Sequence, residues 1–138
     1  MKKQCIIIGL GKFGMTLAKE LSEGNMEVLA IDKDMHLVER ASRFVAKAIC
    51  LNIYDEEALA EIPLRDFDLG IVAIGEDITT NIIACLALKE AKIDYIIAKC
   101  KDTTHKKVLQ KLEVNKIIQA EEDVAKITAK KIINNNNF

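Results

Sequence analysis

Short apolar runs alternate with amphipathic stretches from one end of the chain to the other. Cys5–Ile8 is unbroken apolar and stops at Gly9, the pattern of a strand buried on both faces. Phe13, Leu17, Ala18 and Leu21 recur at helical spacing over Phe13–Glu23, and Gly24 supplies the stop. The same reading predicts strands at Glu27–Ile31, Ala46–Leu51, Leu69–Ile74, Tyr95–Ala98 and Lys116–Ile118. Between them it predicts helices at Met35–Arg43, Asp55–Ile62, Asp77–Ala91 and Thr103–Leu112, and a last amphipathic helix at Glu121–Ile133. Asp55 is a candidate N-cap, Asp102 or Thr103 caps the fifth helix, and Pro63 lies beyond the third. Strand–helix alternation implies α/β architecture: a doubly wound parallel sheet with right-handed crossovers, about six strands in the order 3-2-1-4-5-6.

Composition narrows the picture. A chain of 138 residues fits one domain, here residues 1–133, and the Asn-rich 134–138 are expected to form a disordered tail. Half the residues are apolar but only 4% aromatic, so the core must be aliphatic. A net charge of −1 gives no electrostatic case for nucleic acid or an anionic membrane. No apolar run is long enough to insert into a bilayer, and Met1-Lys2-Lys3 leads into a strand without a signal-peptide pattern. A cytoplasmic location is expected. Cys5, Cys50, Cys85 and Cys100 are scattered, with no CxxC pair, and read as small apolar fillers rather than metal ligands or disulfides.

The chemistry concentrates near the start. Gly9-Leu10-Gly11-Lys12-Phe13-Gly14 is a GxGxxG loop that follows a strand, opens a helix and precedes an acid at the end of the next strand. That context is the dinucleotide-binding, Rossmann-type arrangement. Gly9 permits the tight turn, Gly11 lets backbone N–H groups approach a phosphate, and Gly14 lets the helix pack closely. The helix N-terminus then offers free donors and a partial positive charge. Asp32 follows the loop by about 20 residues, where a carboxylate accepts both ribose hydroxyls and repels a 2′-phosphate, so NADP is disfavoured. Its other reading is a cap for Met35–Arg43, a role open to Asp34.

Further candidates lie at the other strand ends. Asn52 either reads an adenine edge as donor and acceptor or serves as a turn residue. Lys33, Ile53, Ile74 and Gly75 flank the same side of the sheet, where Glu76 and Asp77 follow. Lys99 meets a phosphate or carboxylate, or is a solvated surface lysine. Lys12 contacts a phosphate in its own subunit or a neighbour's, or faces solvent. His36 and His105, on charged helical stretches, read as surface residues rather than bases. GxxxxGK[ST], GxSxG, HExxH and a Ser/His/Asp set are all missing, as is any stretch resembling a substrate domain.

From about Lys3 to Ile133 the chain resembles the N-terminal nucleotide-binding domain of the RCK (KTN) family, the regulatory subunits of Ktr and Trk potassium-uptake systems and related channel-gating domains. The resemblance is carried by Ile8–Gly14, Glu27–Asp32, Val72-Ala73-Ile74-Gly75, Ala98-Lys99 and His105–Leu109, and most specifically by Lys107–Leu112 followed by Ile117-Ile118. It implies a cytosolic, non-catalytic module at the inner face of the membrane that binds ATP, ADP, NAD or NADH. It also implies a homodimer assembling into an octameric ring beneath a membrane-embedded potassium-translocating subunit. By position, Asp32 would hold the ribose and Asn52 would lie near the adenine. Lys12 stands where Ktr-type members carry an arginine that reaches a neighbour's ligand, and Glu121 matches an acidic position near the dimer interface associated with a cation. Family members continue into a C-terminal regulatory domain, so the chain reads as a fragment, a short variant or part of a split system. The rival reading is an NAD-dependent oxidoreductase domain parted from its substrate domain, and a weaker one is a nucleotide-binding scaffold for an unrelated partner.

Overall fold

The aliphatic runs of the chain become the central strands of one six-stranded parallel sheet in a computed structural model that describes residues 2–135. In chain order the elements are β1 (Gln4–Ile8), α1 (Lys12–Glu23), β2 (Glu27–Asp32), α2 (Met35–Ala41), β3 (Lys47–Cys50), α3 (Glu56–Ala60), β4 (Leu69–Val72), α4 (Ile78–Glu90), β5 (Tyr95–Lys99), α5 (Thr103–Lys111), β6 (Lys116–Ile118) and α6 (Ala120–Asn134). The sheet order is β3-β2-β1-β4-β5-β6 and every pairing is parallel, as the alternation predicts. A short 3-10 turn at Leu64–Asp66, next to Pro63, is an element that the hydrophobic pattern does not signal.

Strand geometry sends alternate side chains to opposite faces, and β1 shows why it is apolar throughout. Ile6 and Ile8 pack with Leu29, Ile31, Val72, Ile96 and the helices α4 and α5. Cys5 and Ile7 pack on the other face with Val28, Ala30, Ile71 and the helices α1 and α2. Each fully buried isoleucine contributes on the order of 1.5–3 kcal/mol, so the two faces together hold the centre of the sheet.

Several elements end one or two residues short of the sequence pattern: α2 at Ala41, α3 at Ala60 and α5 at Lys111. β4 stops at Val72, so Ala73 and Ile74 belong to the strand's exit toward the cleft. Asp34, Asp55, Asp77 and Asp102 each accept a backbone N–H in the first turn of α2, α3, α4 and α5. Asn134 closes α6 and Asn135 follows it, while 136–138 of the expected tail lie outside the described residues. No described helix is long and apolar enough to cross a membrane.

Candidate functional site

The sheet reverses its winding at β1, whose neighbours are β2 and β4. Open parallel sheets bind ligands beyond the carboxyl ends of the strands at such a switch point. A cleft of about 430 Å3 lies there, lined by the glycine loop and by residues from the ends of β2, β3, β4 and β5.

Backbone geometry builds the first side of the cleft. Gly9 has φ +104°, and a Cβ on it would stand 2.9 Å from the Ala73 carbonyl carbon and the Ile74 nitrogen. A Cβ on Gly14 would collide with the Gly9 carbonyl and come within 3.1 Å of the Ala73 Cβ. Gly14 therefore lies beneath the loop, buried, and does not line the cleft. Gly11 is the N-cap of α1, and a Cβ there would meet nothing within 4 Å. Among α1–α6, only α1 begins with neither a side-chain cap nor an acid in its first turn. A cap stabilises a helix by about 1 kcal/mol, and α1 forgoes it where its N–H donors face the cleft.

Asp32 stands beside these donors. Its Oδ2 accepts the Leu10 N–H at 2.7 Å and its Oδ1 accepts the Asp34 N–H at 2.9 Å. The capping role for α2 falls to Asp34, which accepts the His36 N–H. Asn52 is exposed and its Oδ1 accepts the Tyr54 N–H at 3.0 Å, so it does form a turn. Its side-chain NH2 group is left over for the cleft that it lines.

Side chains build the far side. Tyr54 and the Thr80 hydroxyl are 3.1 Å apart, and Thr80 donates to Asp77 at 2.7 Å. Thr80 Oγ1 thus accepts a hydrogen bond from the Tyr54 hydroxyl, and the chain of bonds joins the β3 exit to the start of α4. The Thr80 amide and hydroxyl together hold the Asp77 carboxyl below its ordinary value. Lys99 is half-buried, with Nζ 5.6 Å from the centre of the Phe13 ring and placed so that a Cβ on Gly75 would stand 3.1 Å from it. It is not a freely solvated lysine.

Of the sequence candidates, Gly9, Leu10, Gly11, Lys12, Phe13, Asp32, Lys33, Asn52, Ile53, Ile74, Gly75 and Lys99 all line this one cleft. Lys12 and Lys33 are exposed at its rim. Glu121 lies apart, on an adjoining hollow of about 450 Å3 that shares Gly75 and Lys99.

Two expectations are corrected. His105 is not a surface residue: it is 1% exposed, and burial holds its pKa below the ordinary value against the opposing charge of Asp102. Its spacing from Leu109 and Leu112, on one face of α5, was the missed signal. Cys50 is not a filler but exposed, near the Lys33 carbonyl, whereas burial pushes the Cys5 and Cys85 thiols up to about 12. Sequence reading also missed Tyr54 and Thr80 as cleft residues, and Asn81 beneath them. Asn81 shares the buried stripe of α4 with Ala84, Cys85 and Leu88, where a polar side chain demands partners.

Among relatives, Ktr system potassium uptake protein C of Bacillus subtilis is 40% identical over 136 residues, 99% of this chain and 62% of that protein. Ktr system potassium uptake protein A of Vibrio alginolyticus is 39% identical over 131 residues, 95% of this chain and 60% of that protein. The chain thus spans about three-fifths of the length of these relatives. The NAD(P)-binding domain of an exopolyphosphatase-related protein from Archaeoglobus fulgidus superposes with a TM-score of 0.81 at 22% identity, covering 96% of this chain and 99% of that one. A GsuK channel bound to NAD superposes with a TM-score of 0.72 at 18% identity, covering 86% of this chain and 22% of that one. These two likenesses establish the fold. The model of the TrkA-N domain matches residues 5–120, and the chain belongs to the TrkA-N domain family.

Proposed function

We propose that this domain senses an adenine nucleotide for a potassium-uptake system and performs no catalysis. The observation that carries the reading is the uncapped N-terminus of α1 sharing one cleft with the Asp32 carboxylate. Phosphates take the free N–H donors and the Asp32 carboxylate takes the ribose hydroxyls. ATP, ADP, NAD and NADH fit this chemistry, and NADP is disfavoured because Asp32 repels a 2′-phosphate. GsuK structures bound to NAD and to ADP, both of this fold, support the reading, as do the Ktr names of the relatives. Asp32→Ala is expected to weaken ATP and NADH binding by roughly 10–150-fold, the loss of hydrogen bonds to a charged acceptor. Calorimetry with unchanged affinity for both ligands refutes the ribose role, and turnover of NADH by the parent protein refutes the sensor.

A sensor acts only if its ligand binds two shapes of an assembly differently. The support for an assembly is α6, which has no buried residue and exposes Val124 by 61% and Ile133 by 73%. Such an exposed apolar face needs a partner, and that partner is a second copy of the chain, with dimers building an octameric ring on the cytoplasmic side of a membrane-embedded potassium-translocating subunit. Ile127→Glu is then expected to shift the parent's light-scattering mass toward the monomer. Glu121, outside the cleft at the start of α6, belongs to that interface and would serve a cation there. Lys12 is the candidate for telling ATP from ADP, by reaching a neighbour's terminal phosphate. Lys12→Ala narrows the ATP–ADP affinity gap if that holds, and lowers both affinities equally if Lys12 is a general phosphate contact.

A further inference from the structure

Asn81 and His105 are the fully buried polar side chains of the described residues, 0% and 1% exposed. The Asn81 amide nitrogen donates to two carbonyls, those of Ile74 and Lys99, both at 2.9 Å. That pair fixes the amide's orientation, because its oxygen cannot face two carbonyl oxygens. The Asn81 Oδ1 then faces the His105 Nε2 at 2.9 Å, so Nε2 carries the proton and donates. His105 Nδ1 is left as an acceptor, and it takes the Lys101 N–H at 3.0 Å. One neutral tautomer satisfies every bond.

The place of this network explains its composition. The β4–β5 ladder ends at the pair Val72 and Ala98. Beyond it the carbonyls of Ile74 and Lys99 are joined by a side chain rather than by the sheet. The next atoms along both strands enter the cleft: Gly75 follows Ile74, and the Lys99 ammonium lies over Gly75 and toward Phe13, in the first turn of α1. An apolar residue would fill the α4 stripe without the desolvation that a buried amide costs. A fully satisfied polar network instead holds a single arrangement.

We propose that Asn81 and His105 are positioning residues of the nucleotide cleft, clamping the ends of β4 and β5 so that Gly75 and the Lys99 ammonium are set against the ligand's phosphates. The clamp rests on the nucleotide-binding reading above, and the test separates the two. ATP affinity of the full chain is measured by calorimetry for the parent, Asn81→Ser, Lys99→Met and the double variant, at a temperature where circular dichroism shows all four folded. Should Asn81→Ser not fold, His105→Gln takes its place in the same cycle. Expected is a loss of about 10-fold for each single variant, with the Asn81→Ser loss shrinking below about 2-fold once Lys99 is Met, the behaviour of coupled sites. Equal Asn81→Ser losses in both backgrounds overturn the clamp, as does a lowered melting temperature with unchanged ATP affinity, or a Lys99→Met variant that binds ATP like the parent. A parent protein that binds neither ATP, ADP nor NADH overturns the nucleotide reading itself.

Discussion

The two sides of the cleft are made from different materials. The β1–α1–β2 side is backbone: a loop at φ +104°, an uncapped helix end and one carboxylate that the loop's own N–H grips. The β4–α4–β5–α5 side is side chains: Asp77, Thr80, Lys99 and, beneath them, Asn81 and His105. The first side comes from one contiguous stretch of chain. The second is joined by contacts between residues 18 and 24 positions apart, Asn81 to Lys99 and Asn81 to His105. A backbone site offers donors common to all phosphates. A side-chain site can be retuned one residue at a time, so under the proposed function any discrimination among adenine nucleotides is assigned to the second side and to Lys12.

Two glycines of the same loop break this comparison most sharply. Gly14→Ala drives a Cβ into the Gly9 carbonyl, backbone that cannot turn aside. Its expected loss is about 3 kcal/mol, the upper end for overpacking, read as a lower urea midpoint. Gly11→Ala meets no atom within 4 Å. Its stability should change by less than about 1 kcal/mol, the scale of a cap substitution, while ATP binding weakens because the new methyl occupies the space above the α1 donors. Equal stability losses for the two variants would mean that the loop's shape does not depend on Gly14.

The same contrast decided what the sequence made legible. The glycine loop and Asp32 are local, fixed by spacing along one β–α–β unit, and their placement follows from the pattern of residues 5–32. The sheet order follows from the alternation of apolar runs. Helix starts were legible where Asp34, Asp55 and Asp102 offer caps, and α2 and α5 begin at the predicted Met35 and Thr103, whereas helix stops were less so, α2 and α3 ending at Ala41 and Ala60. The far side of the cleft was least legible. Lys99 and Gly75 could be named from their strand ends but not their contact with each other, and His105 lies among lysines and threonines that hide its place on the buried face of α5. Its partner Asn81 lies on another helix, and no local rule connects them.

Asp32→Asn tests the backbone side with a smaller effect. The carboxylate accepts two N–H groups, one on each oxygen. An amide keeps one acceptor and turns an NH2 toward the other donor, so a loss of about 1–2 kcal/mol is expected, the cost of an unsatisfied, partly buried N–H. The variant also removes the charge that disfavours a 2′-phosphate, so the NADPH-to-NADH affinity ratio should rise. An unchanged ratio would show that Asp32 does not face the ribose.

The smallest effect is a pH dependence on the side-chain side, carried by His105. Its neutral ring donates through Nε2 to Asn81 and accepts at Nδ1 from the Lys101 N–H. Protonation puts a second donor against that N–H, so burial and this geometry both favour the neutral form, and Asp102 opposes them only in part. The folded pKa therefore lies below the unfolded value of 6.5. Below 6.5 the unfolded chain takes up a proton that the folded one refuses, so this contribution is full above that pH and is lost as pH falls toward the folded value. His105→Gln has no ring to titrate. The stability gap between parent and variant, read by urea unfolding, should be widest at pH 8 and should narrow steadily toward pH 5. Asp77 does not obscure this window: its carboxyl is held below 3.8, so what it contributes is lost only at lower pH. A gap that stays constant from pH 8 to pH 5 would mean that His105 keeps its bonds when charged, which a ring whose Nδ1 already faces the Lys101 N–H donor cannot do.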